Sequence, residues 1–563
     1  MGLTSALHVG QSAILASQAA IQVAGNNMAN AATPGYHRQV AGLTPGLSNR
    51  IGTNSFVGTG VKLRDISRAV DTALQTRVRG AIAREARTAI DQRFLGALES
   101  LQNELTGNDI SSKLSEFINS FSELANNPND DAVRSLVLRQ ATGVADYVQN
   151  LRGEYGRLRD EADRALAASV EKADGLLQQI AAVNGEIAQT EQGAGQANGL
   201  RDRRDQLVSD LSELLDVSTI EQPNGSIDVL VGSLPVVLAG QSRGLELRTK
   251  TVGDDTRVEV RIKADGSTLS VEDGQIGALL GQRANTIDPA IDVLDTFARE
   301  LIFQANRVHS QGQGKSGWSS VTGLVQVANP TTALSADATE LPFDVRNGSF
   351  ALHITNAATG LRESALVSFD PATQSLNDLV ASINASGLGN LSASVTGDGR
   401  LSITASAGFE VSFSEDSSGV LAGLGINALF AGSDATDIAV NQALLDDPRL
   451  LASGLDHVPG SNGSALAMVG LESLSIEALG GRSLRGYWQA HVNGNAVRTA
   501  AANDAAESAA IVREGLEAQE LAVGGVSLDE ESVDLITYQR QFQAAARFIS
   551  VIDEAMQTLL SIA

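Results

Sequence analysis

No cysteine occurs among the 563 residues of the chain. This absence excludes disulfide bonds, thiolate nucleophiles and metal sites built on cysteine. Aromatic residues make up only 4% of the chain against 43% for all hydrophobic residues, so the core is expected to be aliphatic. Basic residues are also in deficit, since 41 Lys and Arg face 66 Asp and Glu and the net charge is −25. Because nucleic acids and anionic membranes carry the same sign of charge, we expect neither as a partner.

Long apolar runs are missing as well. No stretch of the sequence approaches the roughly 18 consecutive apolar residues that indicate a membrane-spanning helix. The first 30 residues also lack the basic segment followed by an apolar run that is typical of a signal peptide. The sequence therefore predicts no membrane span and, for any export, no cleavable signal peptide.

Short patterns typical of enzymes occur, but in the wrong context. Residues 240–244 fit G-x-S-x-G, yet the strand-like residues 245–247 follow where a nucleophile elbow needs a helix. Residues 312–317 fit G-x-G-x-x-G, yet they follow a helical pattern rather than a strand. The histidines are scattered, with no pair at the i, i+4 spacing of a helical metal site. We therefore predict no catalytic, cofactor-binding or metal-binding residues, and a protein that is not an enzyme.

Apolar residues recur every seven positions near the N-terminus. They are Leu7, Ile14, Ile21 and Met28. Gly10, Ser17 and Ala24 stand between them, so the pattern predicts a helix with a narrow seam that a partner helix can approach closely. The helix is expected to end before Pro34-Gly35, a turn signal, and residues from there to about 63 are predicted to be irregular.

The C-terminal segment carries a stronger heptad pattern. Its apolar a and d positions are Leu535, Tyr538, Phe542, Ala545, Ile549, Ile552, Met556 and Leu559. Four heptads predict a coiled coil. Because both ends of the chain carry a seam, the two ends are expected to pair with each other or with copies in neighbouring subunits. Burial inside a single domain is the other interpretation, and for the C-terminal segment we favour pairing between subunits.

The middle of the chain changes period. Proline is absent between Pro128 and Pro223, and helical spacing over much of that interval predicts a long bundle helix. Alternating residues at 227–231, 258–262 and 350–354 predict strands. The fold class is therefore mixed α and β and multidomain, with a terminal α-helical coiled coil, a helical-bundle body with β-hairpins and an inserted β-rich module. The predicted domains are an N-terminal coiled-coil helix (1–40, with 521–563), a body (41–330), the β-rich outer module (331–435), return helices of the body (436–520) and a C-terminal coiled-coil helix (521–563).

One segment carries a family resemblance. Residues 12–39 resemble the N-terminal signature of the flagellar rod, hook and hook-associated proteins, and the Pro-Gly-Tyr ending is more similar to the hook-associated members than to rod and hook proteins. Residues 198–232, 437–453 and 526–531 are similar to the same members. The turn motif of this signature comprises Asn26, Asn27, Asn30, Pro34, Gly35 and Tyr36.

The resemblance implies a structural subunit of the bacterial flagellum that joins hook to filament after export through the flagellar type III channel. It implies an extracellular location and, as partners, copies of the protein itself, the hook protein, the second junction protein (hook-associated protein 3) and a cytoplasmic export chaperone at the C-terminal helix. No cofactor is implied. A hook or distal-rod subunit remains an alternative, and a secreted cell-wall hydrolase with a helical anchor is a third.

A basic stretch stands out in this acidic chain. Between Arg38 and Arg93, ten basic residues face four acidic residues, a local net charge of +6. The stretch is either a docking face for an acidic neighbour or a complement to acidic segments of the same chain.

Overall fold

The computed structural model describes residues 3–50, 56–104, 107–192, 195–252, 255–455, 458 and 460–562. The helices are α1 (Leu3–Asn30), α2 (Thr72–Gln102), α3 (Ile110–Asn126), α4 (Asp131–Thr190), α5 (Asn198–Ser212), α6 (Gly274–Gln282), α7 (Asp288–His309), α8 (Leu376–Asn384), α9 (Val420–Gly423), α10 (Gln442–Asp446), α11 (Gly463–Gly470), α12 (Leu484–Gly524) and α13 (Leu528–Ile562). The prediction of a long helix in the proline-free interval is confirmed by α4, which has 60 residues.

The strands are β1 (Gln39–Pro45), β2 (Asn49–Arg50), β3 (Phe56–Val57), β4 (Val61–Arg68), β5 (Val217–Glu221), β6 (Ile227–Val231), β7 (Leu234–Leu238), β8 (Gln241–Ser242), β9 (Leu245–Val252), β10 (Asp255–Ile262), β11 (Ser320–Thr322), β12 (Gly348–Asn356), β13 (Arg362–Phe369), β14 (Leu391–Val395), β15 (Leu401–Ala405), β16 (Phe409–Ser414), β17 (Phe430–Ala431) and β18 (Ala439–Val440). The mixed α and β fold class predicted from the sequence is confirmed. In the described part of the chain, no helix is long and apolar enough to cross a membrane.

The chain divides into two compact units. The first comprises Met1–Arg93, Ala162–Gln282 and Ala501–Ala563, and the second comprises Phe94–Glu161 and Arg283–Ala500. In the first unit α1 packs against α13, β1 pairs with β4 as an antiparallel hairpin, and β5 to β8 form one sheet. A small apolar cluster joins Leu74, Val78 and Ala81 of α2 to Leu516 of α12.

The hairpin corrects the prediction of an irregular segment up to residue 63. Gln39 pairs with Arg68 at one end and Pro45 with Val61 at the other. A register shift between Gly42 and Leu43 marks a β-bulge. The bulge breaks the two-residue alternation by which a strand is recognised in a sequence, which explains why the hairpin was missed.

The second unit contains a β-rich part with its own apolar core. One sheet has the strand order β13-β12-β16 and the other β11-β15-β14, and α8 packs beside them. A complete capping box at Ser375 and Asp378 begins α8, as the sequence indicated. The shared core extends from Val321 to Ile426. The predicted lower bound of 331 leaves out β11, which is too short to show an alternation but pairs with β15.

This β-rich part supports the first prediction: residues 317–431, expressed alone, should fold. Its core residues Phe350, Leu352 and Phe413 are fully buried. The fragment should therefore give a β-rich circular dichroism spectrum and a cooperative thermal transition. A fragment of residues 341–431 is the matched control, because it lacks β11 and Trp318, whose backbone bonds to Val411 and whose indole donates to Asn427 at 2.8 Å. A random-coil spectrum for the longer fragment would contradict the prediction.

His309 at the end of α7 is a buried histidine held neutral by its surroundings. Its Nδ1 lies 2.7 Å from the carbonyl oxygen of Asn427, and its Nε2 accepts the backbone N–H of Ala452 at 2.9 Å. Burial lowers the pKa of His309 to about 4, with a further contribution from Arg134. Because the unfolded imidazole has a pKa of 6.5, the unfolded state binds the proton first as the pH falls, and the folded state loses stability.

The second prediction follows from the direction of this pKa shift. Between pH 7 and pH 5 the region around α7 should lose about 2 kcal/mol of stability through His309 alone. Hydrogen exchange of residues 300–312 at the two pH values measures the loss. Glutamine can donate and accept at this position without titrating, so His309→Gln should flatten the pH dependence. An equally steep dependence in that variant would show that His309 is not its source.

Candidate functional site

The first and last helices of the chain pack together, and α1 turns its small residues toward α13. The buried residues of α1 are Gly10, Ala16, Ser17, Ala20, Val23, Ala24 and Asn27. At Gly10 a Cβ atom would lie 2.6 Å from Cγ1 of Ile549, so only glycine fits there without a shift. On the α1 side the spacer residue Gly10 therefore makes this close contact, and its partner on α13 is the large seam residue Ile549.

The large residues predicted for the seam flank that contact. Leu7, Ile14, Ile21 and Met28 of α1 are half-buried. On α13, Ile552 is buried, Leu559 is 57% exposed, and the others are half-buried, namely Leu535, Tyr538, Phe542, Ile549 and Met556. The seam is thus partly covered within one chain, and its role in assembly stays a prediction.

A second apolar stripe on α13, the outer stripe, remains largely exposed in the single chain. It contains large residues that are 45–77% exposed, namely Val533, Ile536, Phe548, Val551, Leu559 and Ile562. Their positions fall on one side of a helix, because several are three residues apart and Val533 and Val551 are separated by five full turns. Exposed apolar surface of this extent is typical of a protein–protein contact.

Asn27 links the end of α1 to the chain that follows it. Its Oδ1 accepts the N–H of Gln39 at 2.9 Å and the hydroxyl of Tyr36 at 2.8 Å. Its Nδ2 donates to the carbonyl oxygen of Gln39 at 2.9 Å and to Oε2 of Glu531 at 3.0 Å. All four hydrogen-bonding positions of this buried amide are therefore used, and one side chain holds α1, β1 and α13 together.

Glu531, like Asn27, joins several partners in this hydrogen-bond network. Its side chain is 2% exposed and accepts Arg38 Nε at 2.6 Å in addition to Asn27. Arg38 also reaches Asp534 at 3.2 Å, while its backbone N–H donates to the carbonyl oxygen of Gly524 at 2.8 Å. The hydrogen bond from Glu531 raises the pKa of Arg38. We call the group formed by Asn27, Tyr36, Arg38, Gln39 and Glu531 the polar clasp.

The predicted turn motif divides into two parts. Asn26, Asn27, Asn30 and Tyr36 are joined by hydrogen bonds, because Asn30 donates to Asn26 at 2.9 Å and Asn26 lies 3.4 Å from the Tyr36 hydroxyl. Burial, with smaller contributions from Asp202 and Glu531, raises the pKa of Tyr36 to about 12. Pro34 and Gly35 instead make the exposed turn, in which Gly35 adopts a φ of 73°.

A second network fixes the same turn to α5. Nδ1 of His37 lies 2.8 Å from Asp202, and Arg68 donates to Asp202 and Asp205, both at 2.8 Å. Arg79 approaches Asp205 at 3.4 Å. Burial by itself would raise the pKa of Asp205, but the neighbouring arginines lower it on balance. The network therefore holds a carboxylate charged in the interior of the first unit.

Ion pairs within the chain account for much of the basic stretch. Arg38, Arg68, Arg79 and Arg87 all contact carboxylates of the same chain, with Arg87 lying 3.0 Å from Asp273. These four arginines support the interpretation that the stretch complements acidic segments of its own chain. Lys62 and Arg64 on β4 are exposed.

The sequence patterns that are typical of enzymes lack the structural context that catalysis would need. Ser242 lies in β8, which leads into β9 rather than into a helix. Within the described residues, no group of three or more His, Asp or Glu side chains could hold a metal ion.

Comparison with known proteins finds matches in the middle and at the C-terminal end of the chain. A family model described as the flagellar hook-associated protein FlgK helical domain matches residues 95–322, and one described as the flagellar basal body rod FlgEFG protein C-terminal matches residues 520–562. The second match covers all of α13.

Relatives extend the similarity over the whole chain. Flagellar hook-associated protein 1 of Escherichia coli is 23% identical over 573 residues, covering 100% of both chains. The protein of the same name from Bacillus subtilis is 29% identical over 350 residues, covering 56% of this chain and 68% of the relative. A solved structure titled as the flagellar hook junction protein FlgK from Burkholderia pseudomallei aligns with a TM-score of 0.49 and 17% identity, covering 80% of this chain and 100% of that one. The helical-domain model and the full-length relative agree: this chain is similar to flagellar hook-associated protein 1 over its whole length.

Proposed function

We propose that this protein is a structural subunit of the bacterial flagellum that joins the hook to the filament. The observation that carries the proposal is the similarity over the entire chain to a protein named flagellar hook-associated protein 1. A structural role also suits the terminal helix pair, which presents apolar side chains rather than reactive groups. The protein acts by assembly, without catalysis.

The terminal helix pair supports self-assembly in particular. Its outer stripe on α13 stays exposed in a single chain. Isolated helices are marginal in water, and further packing stabilises them. Copies of the protein therefore bury these stripes against one another, through the predicted seam residues and the outer stripe together.

The remaining partners follow from the position between hook and filament. They are the hook protein on one side and the second junction protein on the other. Export through the flagellar type III channel brings the protein outside the cell. Before export, Leu559, Leu560 and Ile562 at the end of α13, which are 57–78% exposed, need shielding, and a cytoplasmic chaperone at this helix supplies it.

Deletion of the gene tests the proposal. The deletion strain should make hooks of normal length that carry no filament, while flagellin accumulates in the medium. A plasmid copy of the gene should restore filaments. Loss of the hooks themselves would instead indicate a hook or distal-rod subunit, and normal filaments would rule out the junction role. Release of peptidoglycan fragments by the purified protein would favour the hydrolase alternative.

A further inference from the structure

A groove with an apolar floor and an acidic rim lies in the first unit. Its volume is about 750 Å³, and residues of α2, α5 and α12 line it. Val78, Ile82 and Ala86 of α2 belong to its floor. The carboxylates that line it are Glu85, Asp205, Asp210, Glu213, Glu517 and Glu520, of which Asp205 is buried and the others form the rim. The groove therefore offers both apolar contact and negative charge to whatever enters it.

Only part of this negative charge is neutralised within the chain. Arg513 pairs with Glu85 and Glu517, and Arg68 pairs with Asp205. Among the described residues, Asp210 and Glu520 have no cation within salt-bridge distance, and Glu213 reaches Lys172 only at 4.0 Å. The rim is thus suited to a partner that brings basic side chains.

The hairpin of β1 to β4 exposes apolar and basic residues, which complement the apolar and acidic lining of the groove. Its large exposed residues are Val40 (45%), Leu43 (39%), Leu47 (82%), Phe56 (66%), Val57 (45%) and Leu63 (40%). The exposed cations Lys62 and Arg64 lie on the same hairpin, and Arg64 also contacts the neighbouring Asp65 at 3.1 Å. A concentration of large exposed apolar residues on one hairpin indicates a contact surface.

The outer end of the hairpin lies away from the groove of its own chain. Gln39, at the inner end, is bonded to Asn27, and the groove is lined by the adjacent residues 35–37. The outer end packs near the opposite part of α1, where the N–H of Val61 donates to Oγ of Ser12 at 3.2 Å. The 15 residues of α1 between Ser12 and Asn27 correspond to about 22 Å. The outer end and the groove therefore lie near opposite ends of this span of α1, which favours a contact between two copies of the chain.

We propose that the outer end of the hairpin, with Leu47, Phe56, Val57, Lys62 and Arg64, docks into the acidic groove of the next copy. The apolar side chains cover the floor, and the two cations meet the carboxylates of Asp210, Glu213 and Glu520. Because the two surfaces are different, the contact is heterologous and can repeat from copy to copy along an assembly. Charge complementarity sets the register between neighbours. The proposal rests on the proposed function, since it names how copies of this subunit contact one another.

Charge exchange tests the contact in cells. Lys62→Glu with Arg64→Glu, and separately Asp210→Lys with Glu213→Lys, should each reduce the fraction of hooks that carry filaments about tenfold. The chain that carries all four substitutions should regain filaments, because each charge then meets its opposite again. Arg248→Glu is the matched control, since this exposed residue of β9 lies on neither surface and its substitution should leave filament number unchanged.

Cross-linking gives a second readout that needs no change of charge. The native chain has no cysteine, so single cysteines can be placed without background. Leu47→Cys in one copy and Ser209→Cys, in the groove wall, in another should form a disulfide-linked dimer in oxidised flagella isolated from cells that express both. The pair Arg248→Cys and Ser209→Cys should not.

Two outcomes distinguish a failure of this proposed contact from a failure of the proposed function. If the charge-reversed strains carry normal filaments and no dimer forms, the contact between hairpin and groove is wrong while the junction role stands. If the deletion strain itself carries filaments, the junction role is wrong.

Discussion

Gly10→Val should separate α1 from α13 and abolish filament attachment. A Cβ atom at this position would lie 2.6 Å from Cγ1 of Ile549 and 3.2 Å from Cδ1 of Phe548, and valine adds two further methyl groups. Overpacking of this kind costs about 1–3 kcal/mol. Apart from the polar clasp near its N-terminus, α13 packs mainly against α1. In the purified protein, amide exchange over residues 535–559 should accelerate by at least tenfold, and cells carrying the variant should show hooks without filaments.

The same substitution elsewhere in α1 supplies the control. Nothing lies within 4 Å of a Cβ atom built on Gly25. Gly25→Val should therefore leave exchange and filament number unchanged, or slow exchange slightly, since valine is a better helix former than glycine. If both variants behave alike, close packing at Gly10 is not what holds the terminal helix pair.

Glu531→Ala should open the polar clasp. The substitution removes the carboxylate that receives both Arg38 and Asn27, and it leaves the Asn27 amide buried with an unmatched donor. Removing one partner of a buried charged pair commonly costs about 3–5 kcal/mol. Arg38 keeps Asp534 and is 27% exposed, so we expect about 2–3 kcal/mol here. Limited digestion with trypsin measures the effect, because the peptide bond after Arg38 should become accessible and cleavage there should accelerate at least tenfold.

The neighbouring residue is the matched control for this experiment. Glu530 is 67% exposed and approaches Arg38 only at 3.8 Å. Exposed pairs of this kind contribute about 0–1 kcal/mol, so Glu530→Ala should leave cleavage after Arg38 nearly unchanged. Equal acceleration in the two variants would mean that the general charge of the α13 N-terminus, rather than the Glu531 contacts, holds the clasp.

The helices could be predicted from the sequence because the patterns that indicate them lie within single elements. The absence of proline marked the interval that contains α4, and the spacing of Ser375 and Asp378 marked the start of α8. The small residues Gly10, Ser17 and Ala24 indicated close approach of a partner helix, and all three are buried. In each case the information lies within a few turns of one element.

The polar clasp could not be found in this way. Asn27 and Glu531 are 504 positions apart. In the sequence Glu531 is the third of three consecutive acids at the start of α13, where negative charge is favoured by the helix dipole alone. Its burial depends on Arg38 and Asn27 arriving from the other end of the chain. Long-range partners of this sort become visible only once the fold brings the two ends together.

The pairing of the first helix with the last also fixes an order of folding. Closing a flexible loop of about 500 residues costs on the order of 5–6 kcal/mol in chain entropy, which the contacts of α1 with α13 would have to overcome unaided. If the intervening residues fold first, they bring the two ends close together and most of that cost is already met. The pair of α1 with α13 is therefore expected to form late, after the residues between the two helices have folded.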